Sequence, residues 1–121
     1  MNYNFKVLNN TYKTINYINK LLVNYPKKEV VLKNNIEKTE YEAIELIFAY
    51  NINSTDRIRD KNLKDLVIKI SMLDFYMRVS FDKKIISSHQ YEVIGRFIIE
   101  IRKMVYGIIR NRNNKDELIK E

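Results

Sequence analysis

Backbone punctuation is almost absent from this chain: its 121 residues include two glycines and one proline. A sheet protein of this size needs many more turn residues, so strands joined by hairpins are a poor reading. Both glycines, Gly95 and Gly107, fall inside a helical repeat. They are too far apart and wrongly placed for a phosphate loop and read as points of close helix–helix contact. The expectation is an all-α fold.

Apolar residues recur at steps of three and four in four segments. Phe5, Leu8, Tyr12, Ile15 and Leu22, flanked by Ile18 and Tyr25, predict a helix over 5–24. Tyr25-Pro26 ends it, because a residue preceding proline is pushed out of the α region. A second helix over 27–52 turns Leu32, Ile36, Thr39, Ala43, Leu46, Ile47 and Tyr50 inward. After Ser54-Thr55-Asp56, each a plausible N-cap, a third helix over 57–83 buries Leu63, Leu66, Ile70, Leu73, Met77 and Phe81. The fourth starts at Ser87, where Gln90 three residues on completes a capping box and Ile86 with Tyr91 offers a hydrophobic staple. It buries Tyr91, Ile94, Phe97, Ile98, Ile101, Val105 and Ile108 and frays near Asn111–Asn114. Short loops force neighbours to run antiparallel, which gives an up-down-up-down four-helix bundle over 1–112 and a polar tail over 113–121.

Two helices carry more apolar surface than one bundle needs. On the fourth, Val93, Phe97 and Met104 widen the stripe and Ile99 lies nearly opposite it; the third adds Val67, Ile68, Phe75 and Tyr76. A second buried surface, most simply a homo-oligomer interface through Val93, Phe97 and Met104, is expected.

Charge is organised as well. Lysine and arginine total 22 against 15 acids, for a net charge of +7, which favours a polyanionic partner such as RNA or DNA. Lys6, Lys13, Lys20 and Lys27 are spaced seven apart, a step that nearly repeats the helix angle. They form a row about 30 Å long if the helix continues to its end, followed by Lys28. The fourth helix adds Arg96, Arg102, Lys103, Arg110 and Arg112, and arginine binds phosphate bidentately. The second helix is acidic, with Glu29, Glu37, Glu40, Glu42 and Glu45, so a nucleic-acid surface is expected to be one-sided.

Little in the chain points to catalysis, a cofactor or a small-molecule substrate. There is no cysteine, and the single histidine, His89, follows Ser87 and Ser88 at a helix start, where all three read as cap residues. The glutamates of the second helix lack the Glu-x-x-His pairs of a di-iron bundle. No apolar run approaches the roughly 18 residues of a membrane span, and the N-terminus lacks a signal-peptide core. A soluble, cytoplasmic protein is expected.

Several segments together resemble the accessory variability determinant (Avd) family of diversity-generating retroelements. They are Tyr25-Pro26-Lys27-Lys28 with Leu32 and Ile36, Arg57, the Leu63-Leu66-Ile70-Leu73 ladder and Arg78. The strongest are Lys84-Ile85-Ile86-Ser87, Gln90-Tyr91, Ile94, Ile98, Glu100-Ile101 and Met104 through Gly107 to Ile109. The chain departs from the family pattern after Gly107, where a tryptophan is expected and Ile108 stands. The related four-helix proteins of ribosomal-RNA intervening sequences are less similar. The Avd resemblance implies a non-enzymatic partner of a reverse transcriptase, assembled as a pentameric barrel whose basic surface binds nucleic acid and the polymerase. The alternative is a protein–protein adaptor of a mobile element or phage.

Overall fold

The computed structural model describes residues 3–120, and side chains over 6–111. Helices α1 (Tyr3–Leu22), α2 (Val30–Ile52), α3 (Asp56–Asp82) and α4 (Ser88–Lys120) account for nearly all of it, with no strand among the described residues. A single 3-10 turn, Lys27–Glu29, leads into α2 behind the extended Pro26.

Each helix touches two neighbours, so the order around the bundle is α1, α2, α3, α4 and back to α1. Cross-contacts fix the antiparallel sense. Tyr17 meets Phe97 edge-to-face while Asn10 reaches Met104, and Phe81 stacks on Tyr91 while Arg102 reaches Ser71. Ile36, Ala43, Leu66, Ile70, Leu73, Met77, Ile94, Ile98 and Ile101 are buried along the common axis.

The predicted seams of α2, α3 and α4 are the observed ones; that of α1 is rotated. Its most buried positions are Val7, Thr11, Thr14, Ile15, Ile18 and Leu22, while Tyr12 is 58% exposed. Two threonines disguised this face. Thr14 satisfies its hydroxyl by donating to the Asn10 carbonyl at 2.8 Å, and the buried Thr11 hydroxyl has no hydrogen-bond partner among the described residues. Phe5 lies outside the residues whose side chains are described.

The turns are held by named bonds. Tyr25, buried behind the first turn, donates its hydroxyl to Ser80 Oγ at 2.6 Å, and Ser80 donates to the Tyr76 carbonyl at 2.8 Å. Burial pushes the Tyr25 phenol up, against the Ser80 bond that lowers it. Between α3 and α4 the Ile85 and Lys84 amides donate to the Ser80 and Phe81 carbonyls, both at 2.9 Å. This is a Schellman cap with Lys84 at φ 62° in the left-handed position. The capping box closes as expected, with the Ser87 amide donating to Gln90 Oε1 at 2.9 Å and the Gln90 amide to Ser87 Oγ at 3.1 Å.

Two expectations are corrected. α4 does not fray near Asn111 but continues as helix to Lys120, through the segment expected as a tail. Neither glycine marks a close helix contact: a Cβ at Gly95 or Gly107 would meet nothing within 4 Å.

Candidate nucleic-acid interface

On α1, Lys6, Lys13 and Lys20 are exposed. A helix advances about 100° per residue, which puts them on the outer surface, on the side of Asn10 and Tyr17. Those two residues face α4. On α4, Arg96 and Lys103 each precede a residue that meets α1, namely Phe97 and Met104. They too are exposed, about 100° round the helix from those contacts, on the outer surface of α4. Arg110 continues their line, so Arg96, Lys103 and Arg110 repeat the seven-residue step of the α1 lysines. That second row is visible in the sequence once the two helices are known to be neighbours.

The two antiparallel rows lie on the outer surfaces of two neighbouring helices, α1 and α4, and together make a cationic face. Among the described residues, Lys6, Lys13, Lys20, Lys103 and Arg110 form no ion pair. Arg96 makes only a long exposed contact with Glu92, at 4.0 Å. Such exposed cations keep their donors available to an incoming anion, and an exposed pair of that kind holds its arginine weakly. Glu92 and Glu100, both exposed, are carboxylates on the outer side of α4.

Lys27 and Lys28 do not extend the α1 row. The helix stops at Leu22, and both sit in the 3-10 turn beyond the proline. There Lys28 joins Lys83 and Lys84 of the α3–α4 turn around a shallow depression, a basic cluster that linear spacing did not reveal. Lys83 is tied to Glu29 at 2.9 Å, while Lys27, Lys28 and Lys84 are exposed.

Arg102 stands apart. It lies on the α3 side of α4, where its guanidinium donates to Ser71 Oγ at 3.1 Å and sits 3.6 Å from Asp74. It braces two helices. The Arg112 side chain lies outside those described. Of the residues expected to form a subunit seam, Phe97 and Met104 contact α1 within the bundle, and Val93 is half-buried. The solvent-exposed apolar residues are others, among them Ile68 and Phe75 on α3, Ile99 and Tyr106 on α4, and Tyr12, Tyr41 and Phe48 on α1 and α2.

Nothing in the geometry assembles a reactive centre from these side chains. Ser87 accepts the Gln90 amide as a cap, and His89 is exposed beside it. Among the described residues, no group of three or more His, Cys, Asp or Glu is placed to hold a metal ion. No helix among them is long and apolar enough to cross a membrane.

A search of curated proteins returns no match. The bAvd-like family model matches residues 6–112, which spans all four helices and the whole cationic face. The chain therefore belongs to the bAvd-like family.

Proposed function

We propose that this protein is a non-enzymatic, nucleic-acid-binding accessory subunit of a retroelement, scaffolding a reverse transcriptase and its template RNA. Family membership suggests the accessory role in a retroelement. The observation that carries the nucleic-acid reading is the pair of antiparallel cation rows, Lys6-Lys13-Lys20 and Arg96-Lys103-Arg110, on adjacent helices. Their seven-residue steps place charges about 10 Å apart along each helix, so the face follows a phosphate backbone and reads no bases. Binding of this kind is sequence-independent and released by salt.

Assembly multiplies the effect. A homo-oligomer, a pentamer by the family resemblance, presents several copies of the face to one strand, and linked weak contacts bind far more tightly than one. The exposed Ile68, Phe75, Ile99 and Tyr106 give such an assembly apolar surface to cover. The protein works in the cytoplasm with its polymerase in this reading.

The test is fluorescence anisotropy with a labelled single-stranded RNA between 50 and 200 mM salt. Affinity is expected to fall steeply across that range and to be lost at low salt in a Lys13→Glu/Lys103→Glu variant. Absence of binding to RNA or DNA at 50 mM salt overturns the reading and leaves a protein–protein adaptor. Light scattering that gives a monomer removes the oligomer.

A further inference from the structure

The contact between α1 and α2 is the least extensive of the four around the bundle. It leaves an open groove of about 560 Å³, walled by Leu8, Tyr12 and Ile15 of α1 and Tyr41, Ile44 and Phe48 of α2. Three of these remain in solvent: Tyr12 at 58%, Tyr41 at 73% and Phe48 at 52% exposure. Single exposed apolar residues need no explanation, but three aromatics around one apolar trough form a patch suited to a partner.

At one end the groove lining includes a carboxyl group. Glu40 is 2% exposed and still lines the groove. The Asn19 amide, oriented so that both residues are satisfied, donates to its two oxygens at 2.8 and 3.0 Å. One amide is thin compensation for a carboxylate taken out of water. Burial first, and then nearby Glu37, push Glu40 up to about 8. No lysine or arginine lines the groove, although the chain is rich in both.

We infer that the α1–α2 groove docks an amphipathic, cationic helix of a partner protein, one lysine or arginine of which seats on Glu40. The trough runs from Leu8 to Asn19 along α1, about 16 Å or three turns at 1.5 Å per residue. That length suits a helix laid in a groove and exceeds what a small ligand needs. Glu37, one turn before Glu40 on α2, favours a basic occupant, and the Glu40 carboxylate acquires in the docked state a counter-charge that none of the described residues lining the groove supplies. The surface is separate from the α1–α4 cationic face, so the protein can hold RNA on one side and a protein on the other.

The experiment uses the full chain and two short alanine–leucine helical peptides, one with a single arginine on its leucine face and one with citrulline there. The arginine peptide is expected to shift the backbone amide resonances of Leu8, Tyr12, Asn19, Tyr41 and Phe48. The titratable neighbours of Glu40 are Glu37 and Tyr41 on α2 and Tyr12 on α1. Only the ionised carboxyl pairs with arginine, so that peptide binds about tenfold tighter at pH 9 than at pH 7. The citrulline peptide binds without this pH dependence, and Glu40→Gln abolishes it. Tyr41→Ala, on the exposed rim, weakens both peptides several-fold and leaves the pH dependence intact. The proposal is overturned if the two peptides bind alike, if the groove resonances stay still, or if diluting the chain alone moves them, which assigns the groove to a second copy.

Discussion

At the scale of single residues, the strongest physical statement concerns a carboxyl that folding holds neutral. Glu40 is raised to about 8 by burial and by Glu37, so in the folded chain it keeps its proton over a range where the unfolded chain has lost it. The native state binds the extra proton, and stability therefore falls as pH rises between about 4.5 and 8. Glu40→Gln removes that dependence with almost no change of shape. It is expected to stabilise the protein by roughly 2–3 kcal/mol at pH 7 and to make little difference at pH 4, read from urea midpoints at the two values. A larger gain at pH 4 than at pH 7 reverses the sign and refutes the assignment. The glycines give a second residue-scale outcome. Open space where Cβ would sit at Gly95 and Gly107 means that alanine recovers helix propensity without a clash. Each substitution should add about 0.5–1 kcal/mol, seen as a higher melting temperature.

At the scale of elements, the α3–α4 turn shows what local sequence does and does not reveal. The capping box was legible because Ser87 and Gln90 stand at the one spacing that lets each side chain satisfy the other's amide. The stop of α3 was not, since a lysine, Lys84, occupies the left-handed position that glycine usually takes. Lys84→Gly relieves that backbone cost at some loss to unfolded-chain entropy, for a net gain of about 0.5–1 kcal/mol. Ser87→Ala leaves the Gln90 amide without its acceptor and loses about 1 kcal/mol. Thermal unfolding of the two variants should move in opposite directions. The seam of α1 was hidden for a related reason. Thr11 and Thr14 are buried there, and a reading by hydrophobicity passed over them in favour of Tyr12, which borders the open groove. The length of α4 past Asn111 was missed because a polar, asparagine-rich stretch carries no apolar period to mark a helix.

At the scale of the whole molecule, the cationic face was half legible. Spacing alone put Lys6, Lys13 and Lys20 in a row, but which helix lies beside them is a property of the bundle order. Only the packing separates the cations of α4 into two groups. Arg96, Lys103 and Arg110 stand exposed on the outer surface of α4, and Arg102 is clasped by Ser71 and Asp74 on the α3 side. A count of charges treats all four alike, whereas the fold predicts two different phenotypes. Replacing Lys13, Lys20 and Lys103 together by alanine removes three exposed cations with no ion pair among the described residues. It should cut the slope of log affinity for single-stranded RNA against log salt by about 2, at roughly 0.7 per phosphate contact, with little change in stability. Arg102→Ala removes the same unit of charge per residue but strands Asp74 and the Ser71 hydroxyl between two helices. It is expected to destabilise by about 1–2 kcal/mol and to leave the salt slope unchanged. Measured on one RNA across one salt series, a slope that responds to Arg102 and not to the lysines would place the bound strand on the α3 side. The α1–α4 face would then be a solvated surface only.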